Sequence, residues 1–197
     1  GLQINANEGR DMTKKTAHSK EAAKAPANPS RLEKLAEAAQ TYGNRSFHNY
    51  SQIRNVAETL RDEFCLFLDE DRICVFLVPP TGPFAAVNAG SAAFSVSGKG
   101  FLPLEPISFG LAVAITKFGD YMRLVITCRK EGGKMYISAG KGREHTLNLP
   151  INDIEMGALI EGLYEHLMDY FQDGVDSYDN GDYGNTDIGF DILRMGA

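Results

Sequence analysis

LPINDIEMGALIEGLYEHLMDYFQDGVD, residues 149–176, is the stretch whose reading decides the fold. Asn152 stands where an N-cap belongs, with Glu155 three residues on to reach back as its capping-box partner. Pro150 keeps the chain extended just before the cap. Apolar residues then recur at Met156, Leu159, Ile160, Leu163, Leu167, Tyr170 and Phe171, which is one buried stripe on a helix of about 3.6 residues per turn. Leu159, Leu163, Leu167 and Phe171 are the residues expected to seat this helix on its own core or on another subunit. Asp169 and Asp173 lie toward its end, where the helix dipole disfavours negative charge, so helix stability alone does not explain them.

A helix this apolar on one side needs a partner, and the preceding residues supply one. From Asp71 the hydrophobic period changes from helical to alternating, with β-branched and aromatic residues. Strands are predicted at 72–78, 84–87, 92–97, 108–117, 122–130, 134–139 and 144–149. Gly, Pro and Asp turns separate them, at 79–83, 98–100, 118–120, 131–133 and 140–142. Such short connections make neighbouring strands antiparallel. Upstream, a helix capped by Ser30 and Glu33 is expected to run to Tyr42 and stop at Gly43-Asn44. A second helix, Tyr50 to Leu68, would bury Ile53, Val56, Ala57, Leu60, Phe64 and Phe67. The fold class is α+β: an antiparallel sheet of about seven strands flanked by N- and C-terminal helices.

Three regions follow. Residues 1–29 have almost no large apolar side chain and read as a flexible leader. They lack the apolar core of a secretory signal, and the initial Gly reads as a processed or engineered start. Residues 30–176 form a single domain, and residues 177–197 an acidic Gly/Asp-rich tail whose last apolar residues, Ile188, Phe190, Ile192 and Leu193, dock on the body. No apolar run approaches the length needed to cross a membrane. The three cysteines, Cys65, Cys74 and Cys128, form no paired motif and read as buried small hydrophobes in a reducing compartment.

The net charge of −6 is unevenly spread. Residues 150–197 hold one Arg and eleven Asp/Glu, while the two preceding segments, 1–68 and 69–149, are each +2. An acidic helix and tail attract basic partners and repel nucleic-acid phosphates. The carboxylates expected to form this partner-binding face are Asp169, Asp173, Asp176, Asp179 and Asp182. The competing reading is a module that binds single-stranded nucleic acid directly. It would use Arg123, Arg129, Lys130, Lys134, Lys141 and Arg143 on adjoining strands and hairpin ends, with Tyr121 and Tyr136 to stack bases.

Enzymatic chemistry finds no constellation. His18, His48, His145 and His166 accompany no metal-ligand or nucleophile motif. The glycine loops at 131–135 and 140–145 carry Lys134, Lys141 and Arg143 but open no helix, so they read as hairpin turns. Asp176, Asp179, Asp182 and Asp187 miss the alternating spacing of a calcium loop. Neither a cofactor nor a metal is therefore assigned.

LYEHLMDYFQDGVD, residues 163–176, resembles the C-terminal motif of the mitochondrial acidic matrix protein family, also called the mitochondrial glycoprotein or complement globular-head-binding protein family. Leu163, Tyr164, Glu165, His166, Leu167, Met168, Asp169 and Tyr170 follow that motif, and Gly174-Val175-Asp176 continues it one residue early. Phe109, Val113, Ile115 and Lys117 resemble the family's strand before a Gly/Asp turn, and Leu124 to Cys128 the strand after it. The similarity covers residues 105–176. The long acidic insertion that the family carries between strands is absent. The resemblance implies a strongly twisted seven-stranded sheet, a ring-shaped homotrimer, a mitochondrial matrix location and no enzyme activity. It also implies an acidic, chaperone-like adaptor that binds basic proteins, including RNA-binding and ribosome-associated ones, and so modulates mitochondrial RNA processing or translation.

Overall fold

A computed structural model of the chain describes residues 28–182 and 191–193. Its elements run α1 (Arg31–Phe67), β1 (Val75–Val78), a 3-10 turn (Gly90–Ala93), β2 (Ile107–Ala114), β3 (Tyr121–Glu131), β4 (Lys134–Ala139), β5 (Glu144–Asn148), α2 (Asp153–Asp179) and β6 (Asp191–Leu193). The sheet is antiparallel throughout, in the order β1-β2-β3-β4-β5. β6 pairs with Tyr121–Arg123 of β3, the stretch of that strand beyond the reach of β4. The fold is therefore α+β, an antiparallel sheet with one helix before and one after β1–β5 in the chain, as its residues predict.

Alternation along the strands sorts their side chains into two layers. Ile107, Phe109, Leu111 and Val113 of β2, Met122, Leu124, Ile126 and Cys128 of β3, Met135 and Ile137 of β4 and Leu147 of β5 share one face and are buried. Both helices lie on it. Ile53, Val56, Ala57, Leu60 and Phe64 come from α1, and Met156, Leu159, Ile160, Leu163 and Leu167 from α2. Each of these large side chains contributes roughly 1.5–3 kcal/mol by leaving water. The helices run in the same direction, since α1 residues 52–59 flank α2 residues 152–156 and Phe67 packs against Tyr164 at 5.5 Å. On the opposite face of the sheet, Val78, Ala112 and Tyr121 form a small cluster covered by Phe84 and by Leu193 of β6. Gly110 has to be glycine here, because a Cβ would stand 2.7 Å from the carbonyl oxygens of Val78 and Pro79.

Several expectations are corrected. The upstream helices are one helix of 37 residues that passes through Gly43 and Asn44. A mid-helix glycine costs only about 1 kcal/mol, and contacts around it offset that. The Leu104 N–H donates to the Tyr42 hydroxyl at 2.8 Å, Tyr42 stacks on Phe101 at 5.2 Å, and the buried Ser46 hydroxyl donates to the Tyr42 carbonyl at 2.9 Å. Residues 84–87 and 92–97 are not strands, so five of the seven predicted strands form, and β6 brings the number among the described residues to six. Asn88 is the reason for the first. Its side-chain oxygen accepts the Leu77 N–H at 2.9 Å, and the Ala89 N–H donates to the Leu77 carbonyl, so an irregular segment satisfies the edge of β1. In the second, a 3-10 turn takes the chain round and only Phe94 bridges to Phe109.

Asn152 does cap α2, accepting from the Glu155 N–H at 2.9 Å. Glu155 does not close the box on the cap backbone. It accepts instead from the Asn148 backbone and side-chain N–H groups at 3.1 and 2.7 Å, which ties the helix start to the end of β5 and lowers the Glu155 pKa. α2 also runs three residues past Asp176. Cys65 and Cys74 are paired as a disulfide, against expectation, because the last turn of α1 lies beside the chain entering β1 and brings their Cα atoms to 5.6 Å. Cys128 is buried, and burial pushes its thiol up to about 12. Ile192 and Leu193 reach the sheet as β6, while the 1–29 leader up to residue 27, Asp187, Ile188 and Phe190 lie outside the described residues.

Candidate functional site

Three surfaces carry the residue types singled out in the sequence. The first is the C-terminal half of α2. This helix holds eight Asp/Glu and neither Lys nor Arg across its 27 residues. Leu159, Leu163 and Leu167 sit in the core, but past Leu167 every position is half-buried or exposed. Phe171, expected with the core leucines, is instead 40% exposed. Asp169, Asp173 and Asp176 fall on one side of the helix by their spacing. Asp179 is in the last turn, displaced around the axis, and Asp182 lies just beyond the helix. All five are exposed, and none forms an ion pair with Lys or Arg among the described residues.

A different side of the same helix half carries an apolar row, Tyr164, Met168, Phe171, Val175 and Tyr178, 37–67% exposed. Its spacing alternates four and three residues, the pattern of a helix seam that meets another helix. Part of it borders a groove of about 320 Å³ together with Ile192 of β6. The first turns of α1 carry a similar row, with Leu32 and Leu35 exposed and Ala39 and Tyr42 in register after them.

The six basic residues of the nucleic-acid reading are not brought together. Arg123 is buried on the far face of the sheet. It donates to the Pro79 and Gly82 carbonyls at 3.1 and 2.7 Å, pairs with Asp191 and stacks over Phe84 at 4.7 Å. Its charge holds the 79–84 loop and β6 onto the sheet and is closed to any phosphate. Arg129 is on that same face, over Tyr136 at 4.1 Å, with Glu131 and Glu144 at 2.9 and 3.8 Å. Lys134 is exposed on β4, facing the same way. Lys130 points to the helix side, where its ammonium donates to the Gln52 side-chain oxygen at 2.5 Å. Lys141 and Arg143 flank a different cleft.

That cleft, about 240 Å³, lies where the β4–β5 turn meets α2 and is lined by Lys141, Arg143, His145, Glu165, His166 and Asp169. His145 packs directly on Gly162 of α2, and His166 on Gly142 of the turn. The His145 pKa is lowered, first by burial and then by the positive charge of Arg143 and by His166. Cationic and anionic groups are balanced here, so the cleft has little net preference for either sign.

A cleft of about 650 Å³, larger than the two above, escaped the sequence reading. It opens between the middle of α1, residues 104–106 and the far end of β3. Asn44, Arg45, His48, Asn49, Glu105 and Lys130 line it, with Leu104 and Pro106 as an apolar wall. The available signal was the run Arg45, His48, Asn49, Gln52, a polar stripe at helical spacing on an otherwise apolar-facing helix.

Comparison of the chain with family models, with curated proteins and with solved structures finds no match. No helix among the described residues is long and apolar enough to cross a membrane.

Proposed function

We propose that the protein is a non-enzymatic acidic adaptor that binds basic proteins through the C-terminal half of α2. The observation that carries this is that the C-terminal half of α2 bears exposed carboxylates without Lys or Arg ion-pair partners among the described residues on one side and an exposed apolar row on another. Charge of one sign steers oppositely charged partners at long range. The carboxylates do not serve the helix itself, since negative charge at a helix C-terminus opposes its dipole.

The exposed rows on α1 and α2 support self-association, and a homotrimer is the assembly that the family resemblance implies. Closed symmetry would repeat the acidic face around a ring and multiply its field. The resemblance also supports a mitochondrial matrix location and RNA-binding or ribosome-associated partners, with an effect on RNA processing or translation. The dispersal of the six basic residues does not favour the nucleic-acid reading of the strands.

Two measurements test the proposal. Light scattering on a size-exclusion column is expected to return a mass near three times 21.6 kDa, and a monomer mass refutes the assembly. A fluorescent Arg/Lys-rich peptide is expected to bind in low salt and be released as salt rises, because solvated charges are screened within about 10 Å at 0.1 M ionic strength. Replacing Asp173, Asp176 and Asp179 together by Asn removes three exposed pairings of roughly 0.2–1 kcal/mol each, hence about tenfold in affinity. Equal binding at low and high salt, or by the triple variant, sinks the adaptor reading.

A further inference from the structure

The 650 Å³ cleft between α1 and the end of β3 has a charge opposite to that of the molecule as a whole. Four charged side chains line it, and their partners decide what remains available. Glu105, the single carboxylate among its lining residues, is engaged by Lys99 at 2.8 Å. Arg129 is shared between Glu131 and Glu144. Lys130 bonds only the neutral amide of Gln52, and Arg45 forms no ion pair among the described residues. Two positive charges are thus left without counter-charges, one on each wall. His48 and the side-chain amides of Asn44 and Asn49 add hydrogen-bonding groups on the α1 side, and Leu104 and Pro106 supply an apolar surface opposite.

We infer that this cleft is a nucleotide-phosphate site, with the phosphate held between Arg45 and Lys130 and the base against Leu104 and Pro106. The volume lies within the range of small-ligand sites, roughly 300–1,000 Å³. A guanidinium offers paired donors to phosphate oxygens and a lysine ammonium offers a point charge, which is the usual division of labour around phosphate. Gln52, one helical turn beyond Asn49 on α1, accepts from the Lys130 ammonium without neutralising it. The same phosphate chemistry is offered by a free nucleotide and by a nucleotide within a strand. This inference does not depend on the acidic face of α2, which is built from other residues.

The test uses the full chain and isothermal titration with three probes: inorganic phosphate, adenosine 5′-monophosphate and a 5′-phosphorylated oligouridylate. Saturable binding of the mononucleotide, weakened at least about tenfold by Arg45→Ala and by Lys130→Ala and unchanged by Lys134→Ala, is the expected result. Binding of the oligouridylate alone, with the same dependence on Arg45 and Lys130, assigns the site to strand-borne nucleotides. In that arm each of the two substitutions should reduce the log–log salt slope by about 0.7. Unchanged thermal unfolding of each variant separates lost binding from lost structure. The Asn variant of Asp173, Asp176 and Asp179 should bind the mononucleotide normally even if the adaptor reading fails. No saturable binding of either nucleotide probe overturns the inference, as does an equal loss in the Lys134 variant, which would mark diffuse charge attraction.

Discussion

Gly162→Ala is the substitution whose sign depends most directly on how α2 sits on the sheet. In an isolated helix the change is favourable by about 1 kcal/mol, because glycine is the poorer helix former. Here the added Cβ would stand 2.4 Å from the His145 Cε1 and 3.0 Å from its Nε2. The imidazole has to move, or α2 has to lift from β5, and such overpacking costs roughly 1–3 kcal/mol. The clash outweighs the propensity, so a net loss of about 1 kcal/mol is expected, and the unfolding midpoint should fall by about 2–4 °C. Removing the imidazole first reverses the sign. In a His145→Ala background Gly162→Ala should stabilise by about 1 kcal/mol, a swing of about 2 kcal/mol across the double-mutant cycle. Urea unfolding of the four proteins, followed by circular dichroism, measures all corners. If Gly162→Ala stabilises the parent protein as well, His145 does not wedge against α2 and the packing argument is wrong.

Three further outcomes follow from the same contacts. Arg123→Ala should destabilise by about 3 kcal/mol, since it leaves the Pro79 and Gly82 carbonyls without their charged donor and Phe84 without its cation; chemical unfolding measures the loss, and a change below about 0.5 kcal/mol, the size of an ordinary surface substitution, refutes the buried role. His145 has a lowered pKa in the fold, so the unfolded chain takes up its proton first. Its contribution is then present above the ordinary histidine range, about 6.5, and is lost as pH falls through it; a stability–pH curve should be flatter there in His145→Gln, and an identical curve contradicts the shift. Cys128 is buried with its thiol raised to about 12, so it should resist alkylation at neutral pH until the protein is unfolded; mass spectrometry of native, alkylated protein checks this, and rapid native labelling refutes it.

The acidic face was legible because charge and helical spacing are local properties. Asp169, Asp173 and Asp176 share a side whatever α2 packs against. The basic patch was not legible in the same way. Arg123, Arg129 and Lys130 are near neighbours in the chain, yet strand alternation puts Lys130 on the helix side of the sheet and the two arginines on the other, and the 79–84 loop then covers Arg123. The large cleft was missed for a related reason. Its walls come from residues 44–49, 104–106 and 129–132, and no window of sequence contains more than one of them.

The sequence by itself determined the class of fold, the approximate spans of β2 through β5, the N-caps Ser30 and Asn152 and the helical carrier of the negative charge. Each of these follows from a hydrophobic period or from a side chain reaching a backbone group within four residues. Tertiary structure decided the rest: that α1 continues through Gly43, that Asn88 replaces a strand at the edge of β1, that Cys65 meets Cys74, and that Glu155 bonds Asn148 rather than the backbone of its own cap. For Gly43 and for the hydrogen bonds of Asn88 and Glu155 the local alternatives differ by about 1 kcal/mol, the scale of a glycine in a helix or of one hydrogen bond. Contacts between residues far apart in the chain are of the same size or larger, so they choose.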